Sequence, residues 1–215
     1  MSNDPQGCAR LFSIGYSNHA LPRFLDLLRL SGVTALADVR SSPYSKRWPQ
    51  FNRPDLEAAL SGQGLVYVFL GDLLGGRPRA SELYDEDGRV DYERVRATPA
   101  FRQGLERLIR GTERHAIAMM CGEDDPLDCH RGLMITPALA EHGLAPLHLR
   151  KDGSVETTAE MEARLLRETR LGERLQPDLF TPPPTEADVR RVLAEAYRTM
   201  SQKKAYRRKD DQAEY

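Results

Sequence analysis

Cysteine is scarce in this chain: Cys8, Cys121 and Cys129 are the only three among 215 residues. So few thiols, so unevenly spaced, exclude the disulfide framework of a small secreted scaffold and leave free thiols as the expectation. Net charge is also nearly absent, at −1 from 31 Lys+Arg and 32 Asp+Glu, so the chain is no polycation and any grip on nucleic acid must come from a local patch. No apolar run approaches the ~18 residues of a membrane span. The opening MSNDPQGCAR has no basic stretch followed by an apolar one, so the chain reads as neither exported nor anchored, and as cytoplasmic. The phosphate loop G-x-x-x-x-G-K-[ST], the dinucleotide turn G-x-G-x-x-G and the nucleophile elbow G-x-S-x-G are all missing. Cysteine-based phosphatases place an arginine six residues after the nucleophile; here those positions hold Leu127 and Ile135.

What is present suits a globular protein with one substantial core: 40% of residues are apolar and 29% charged. Over the first 150 residues, short apolar runs alternate with amphipathic stretches, the pattern of a mostly parallel sheet of about five strands flanked by helices. The strands are expected at 11–16, 33–39, 65–70, 116–120 and 144–149. Between them, Leu21, Phe24, Leu25 and Leu28 form one helical face with Pro22 in the first turn, and Asn52 and Pro54 open a second helix. Thr98 and Pro99 open a third, and Phe101, Leu105, Leu108 and Ile109 make its stripe. A fourth is expected over 133–142, kinked or begun anew at Pro137. Residues 71–97, rich in Gly, Pro and charge, read as a long functional loop.

Residues 1–150 thus form the expected α/β core domain, and 151–215 a C-terminal helical extension without a buried strand. A Pro-rich break at 177–184 divides the extension, Thr185 with Asp188 forms a reciprocal helix cap after it, and a basic, frayed tail ends it.

In an open parallel sheet, ligands bind outside the carboxyl ends of the strands. The first strand is followed by Ser17, Asn18 and His19, the second by Asp38, Arg40 and Ser41, the third by Gly75, Gly76 and Arg77, and the fourth by Cys121, Glu123, Cys129, His130 and Arg131. Four distant segments therefore deliver polar side chains to one expected rim. Between Arg40 and Arg53, the cations Arg40, Lys46, Arg47 and Arg53 are interleaved with Tyr44, Trp48 and Phe51 and with no acid. Cations bind phosphates and aromatic faces stack bases, so this loop suits a nucleotide or single-stranded nucleic acid.

The stretches SIGYSNH, ADVRSSPYSKRWPQFN, LGDLLGGRP and CGEDDPLDCHRG, in this order, resemble the family known as domain of unknown function 488, over approximately residues 11–150. The resemblance implies an α/β fold and shared clusters at Asn18 and His19, at Asp38 and Arg40, at Cys121 and Glu123, and at Cys129 to Arg131. Pro137 and the region after residue 150 depart from that pattern.

Three functions fit these residues. The first is an enzyme acting on a phosphate-bearing substrate, a nucleotide or nucleic acid, by hydrolysis or transfer. Asp38 or Glu123 would serve as general base, Arg40 and Arg131 as the anion clamp, and Cys129 and His130 would stand beside the reacting atom. The second is a non-catalytic module holding nucleic acid on Lys46, Arg47, Trp48 and Arg53. The third is a metal- or redox-sensing domain on Cys121, Cys129 and His130. Seven residues between the two cysteines are unlike the short hooks of structural zinc sites, so no cofactor is expected. Cys129 as a nucleophile would need a lowered pKa, which Arg131 and the following helix favour and Glu123, Asp124, Asp125 and Asp128 oppose.

Overall fold

The computed structural model describes residues 11–177, 180 and 182–208; Cys8, part of the Pro-rich break and the last residues of the tail lie outside them. Six strands form one sheet in the order β3-β2-β4-β1-β5-β6. The first five, β1 (Leu11–Gly15), β2 (Ala35–Asp38), β3 (Val66–Phe69), β4 (Ile117–Cys121) and β5 (Leu147–Leu149), run parallel. Side chains alternate across the pleat, so Leu36, Ala118 and Met120 face one side while Ala35, Ala37, Ile117 and Met119 face the other.

Helices α1 (Leu21–Leu30) and α2 (Arg53–Ser61) cover the first side with Phe24, Leu27, Leu28, Leu56 and Leu60. Pro22 sits in the first turn of α1, and Gly32, at φ 69°, takes the left-handed turn just past its end. Asn52 precedes α2 but does not cap it, because its side-chain oxygen accepts from the Ser45 amide at 2.6 Å instead.

The segment 71–97 is more structured than its composition suggests. It holds α3 (Gly71–Leu74), a short 3-10 turn (Ser81–Leu83) and α4 (Tyr92–Arg96), and it buries Leu74, Tyr84, Val90, Tyr92 and Val95 in the second core. Helix α5 (Pro99–Gly111), capped by Thr98 Oγ1 on the Phe101 amide, packs Phe101, Leu105 and Leu108 onto that same side. After β4 the chain makes a 3-10 turn (Pro126–Asp128), a π-helical turn (Arg131–Ile135) and α6 (Thr136–Ala140). The wider turn brings Pro137 into the first turn of α6, where its missing N–H costs little.

The region after 150 is not a detached extension. Val155–Thr157 forms β6, antiparallel to β5; Val155 is exposed, so this edge strand has no apolar run to announce it. Helix α7 (Thr158–Thr169) starts with the reciprocal cap of Thr157 and Glu160, and α8 (Glu186–Lys204) with that of Thr185 and Asp188. Met161, Leu165, Ala196, Tyr197 and Met200, spaced for one helical face each, complete the second core together with Ala205. Of the expected frayed tail, the described part is held: Arg207 bridges to Arg89, and the Arg208 guanidinium lies 3.9 Å from the Tyr84 ring centre. No helix among the described residues is long and apolar enough to cross a membrane.

Candidate active site

Strands β2 and β4 are neighbours, yet the chain leaves β2 toward β3 at one edge and leaves β4 toward β5 on the other flank. Their following loops diverge, and such a reversal opens a crevice at the carboxyl ends of a parallel sheet. A cavity of about 370 Å³ lies there, lined by Arg40, Ser41, Gly76, Arg77, Cys121, Glu123, Cys129 and His130 among others. With Tyr16 from the end of β1, segments following all four of β1 to β4, remote in sequence, thus meet at one rim.

The floor is a thiol–imidazole cluster. His130 Nε2 lies 2.9 Å from the Val39 carbonyl oxygen; a carbonyl only accepts, so Nε2 carries the hydrogen and Nδ1 is turned toward sulfur. Cys121 Sγ is 3.6 Å and Cys129 Sγ 3.7 Å from Nδ1. Cys121 also donates to Glu123 Oε2 at 3.1 Å. Burial works against a thiolate at Cys129, but the Cys121 thiol, Arg131 and His130 outweigh it and hold its pKa well below the usual range. The neighbouring Cys129 sulfur as hydrogen-bond partner, together with burial, pushes Cys121 well up. Burial also disfavours an imidazolium at His130, yet the adjacent Cys129 sulfur and Glu123 shift it upward overall. These shifts run toward ionisation at Cys129 and away from it at Cys121, so of the two thiols Cys129 is the more acidic.

Glycines let the loops close over this floor. A Cβ at Gly76 would lie 2.7 Å from His130 Cγ, and one at Gly15 would overlap the Glu123 carbonyl, so only glycine allows these two close approaches. Gly75 packs equally tightly on Ser41, whose Oγ accepts from the Arg77 amide at 2.8 Å.

Arg131 does not clamp an external anion. It is fully buried, with Nη1 donating to the Glu123 carbonyl and Nη2 to the Asp124 carbonyl, both at 2.6 Å, and Nε to Ser13 Oγ at 3.3 Å. Its work is to hold the loop after β4. Asp38 is likewise no accessible base. It is wholly buried, accepting from Arg40 Nε at 2.9 Å, Arg40 Nη2 at 2.6 Å and the Tyr67 hydroxyl at 2.8 Å. Arg40, paired with Asp38 and donating to the Phe51 carbonyl at 2.9 Å, still has an Nη1 without a hydrogen-bond partner among the described residues. That residue is 6% exposed and lines the cavity.

Ser17, Asn18 and His19 follow β1 but do not line the cavity. Asn18 is exposed in a left-handed turn at φ 59°. His19 is buried edge-on to Phe24, and that burial lowers its pKa. The basic loop is also set apart. Lys46, Arg47 and Arg53 are exposed; Arg47 covers Trp48, and Arg53 lies over Tyr67 and Phe69 and pairs with Glu57 at 3.7 Å. Tyr44, from the same loop, does reach the cavity.

The sequence reading missed Tyr16, Tyr92, Lys204 and Tyr206 of the lining. Lys204 pairs with Asp128 at 2.6 Å, and Tyr206 underlies the Arg77 guanidinium at 4.6 Å. Both come from the C-terminal segment, and no local motif marks them.

Fold and site together define a parallel α/β protein whose reactive groups gather where the sheet's connections reverse. The chain belongs to the family described as Domain of unknown function DUF488, which it matches over residues 20–136. The match runs from α1 through the cysteine–histidine cluster and stops short of β5. No curated protein and no solved structure matches the chain.

Proposed function

We propose that this chain is a cytoplasmic enzyme that binds a small phosphate-bearing substrate, a nucleotide in the first instance, and acts on it by hydrolysis or transfer. The observation that carries the reading is the composition of the two cavity walls. Arg40, Ser41 and Arg77, from the loops after β2 and β3, face Glu123 beside the Cys–His pair, from the loop after β4. A cavity of about 370 Å³ suits a small molecule. Tyr16, Tyr44, Tyr92 and Tyr206 supply aromatic faces for a base or other flat ring. Glu123, at the mouth, takes the role of general base, and Arg77 and Arg40 that of anion recognition. A small substrate is favoured over single-stranded nucleic acid because Arg47 and Arg53 already cover their own aromatic neighbours outside the cavity.

The test is calorimetric titration of the protein with nucleoside mono- and diphosphates at low salt, followed by turnover measurements. Arg77→Ala should weaken binding by about tenfold, and Glu123→Gln should keep binding and lose turnover. If no phosphate compound binds at low salt, the reading fails. A covalent variant, with the Cys129 thiolate as nucleophile, is favoured by the His130 contact at 3.7 Å; a substrate-derived mass adduct on Cys129 would support it, and full turnover by Cys129→Ser would end it.

A further inference from the structure

We infer that Cys121, Cys129 and His130 form a binding site for a zinc-class divalent cation at the floor of the cavity. The three ligand atoms, two Sγ and Nδ1, all lie within 4.8 Å of one another. A tetrahedral centre with Zn–S of about 2.3 Å and Zn–N of about 2.0 Å holds its sulfur and nitrogen ligands about 3.6 Å apart. The sulfurs here stand 3.6 and 3.7 Å from Nδ1, so each already lies at the sulfur–nitrogen spacing the ion needs.

The imidazole is also oriented as a ligand. Its Nε2–H is spent on the Val39 carbonyl at 2.9 Å, which fixes the ring and leaves the Nδ1 lone pair for a metal. Histidine ligands are held by this kind of outer hydrogen bond. All three residues are buried, so no water competes from behind. Two thiolates and an imidazole select a soft or borderline ion over magnesium or calcium.

Three protein ligands leave the fourth position of a tetrahedron open toward the cavity, with the Glu123 carboxylate beside it, 3.1 Å from Cys121 Sγ. That is the ligand count of a catalytic rather than a structural site. The seven-residue gap between the cysteines hides it in the sequence, because one cysteine ends β4 and the other follows a separate 3-10 turn. A bound ion would occupy the Cys129 thiolate, so a filled site and the covalent variant exclude each other.

The inference shares its cavity with the proposed enzyme but is read without substrate. The full chain, purified under reducing conditions from zinc-supplemented cells, should hold about one zinc per chain by elemental analysis. After chelation, Co²⁺ added alone should produce the sulfur-to-metal charge-transfer and visible bands of a tetrahedral thiolate site. Cys121→Ser and His130→Ala should each weaken Zn²⁺ binding by at least about 100-fold, whereas Cys8→Ser should leave it unchanged. Should a variant misfold, alkylation of the wild-type thiols serves instead, with zinc expected to slow labelling of Cys121 and Cys129 and chelator to restore it. A metal-free protein that shows no cobalt bands and no zinc protection overturns the site. Zinc binding with no phosphate ligand would leave the site standing and remove the enzyme reading alone.

Discussion

Acid should destabilise this protein through a histidine far from solvent. His148 on β5 is 1% exposed, with Nδ1 2.7 Å from Ser13 Oγ and Nε2 3.5 Å from Thr158 Oγ1. Thr158 already donates to the Pro146 carbonyl at 2.7 Å, so its oxygen is left to accept from Nε2–H, and Ser13 donates to Nδ1. A second ring proton would have no acceptor. Burial, with Arg131, Arg150 and Arg164 nearby and only Asp125 opposing them, lowers the His148 pKa to about 3. Above pH ~6.5 the imidazole is neutral in both states and contributes nothing to the pH dependence. Below it, the unfolded chain takes up a proton that the folded chain refuses until about pH 3. Stability therefore falls with pH, by about 2 kcal/mol at pH 5 and about 3 kcal/mol at pH 4 from this group alone. Burial works against the Asp125 carboxylate, but Arg164 and Arg150 hold its pKa far below the usual range, so it stays ionised between pH 7.5 and 5 and adds nothing in that window. Urea unfolding of the wild type and of His148→Gln at pH 7.5, 6 and 5 reads the effect, because glutamine keeps a donor and an acceptor without titrating. The wild type should lose about 2 kcal/mol more than the variant between pH 7.5 and 5. Parallel pH profiles for the two proteins would refute the assignment.

Other perturbations follow from the site's scaffold. Asp38→Asn leaves the buried Arg40 guanidinium uncompensated and should cost about 3 kcal/mol in urea unfolding. Gly76→Ala drives a methyl into the His130 ring, so a loss of about 1–3 kcal/mol is expected, together with faster alkylation of Cys129 as the ring is displaced. Arg131→Lys cannot reach the Glu123 and Asp124 carbonyls together. It should cost about 2 kcal/mol and raise hydrogen exchange across 122–125, and unchanged exchange there would deny that Arg131 holds this loop.

The five parallel strands and their helices were legible because each strand is a short apolar run, buried throughout in β1, β2 and β4, while the main helices show an apolar stripe and a start signal such as Thr98 with Pro99 or Pro22 in the first turn. Legible too were the segments that reach the rim, since a strand's polar successor falls at its carboxyl end whatever the neighbours are. Sequence periodicity does not report strand order, and here β4 inserts between β1 and β2. That order sets β4 beside β2 and so places His130 against the Val39 carbonyl, while Tyr16 reaches the cavity from the end of β1 and Asn18, two residues further on, does not.

What the chain's local chemistry determined by itself was therefore the α/β class, the helix starts and the set of candidate side chains. Tertiary packing decided which of those side chains are free. Asp38 and Arg131 have the residue types of a base and an anion clamp, but full burial and saturated hydrogen bonding make them struts. Cys121, Cys129 and His130, spaced unlike any short metal hook, converge because the chain leaving β4 at Cys121 folds back through a 3-10 turn that returns Cys129 and His130 to the strand end. The same packing drew α7 and α8 into the core and carried Lys204 and Tyr206 to the cavity. A residue's chemistry is encoded in its identity, whereas its availability depends on neighbours that only the folded chain brings near.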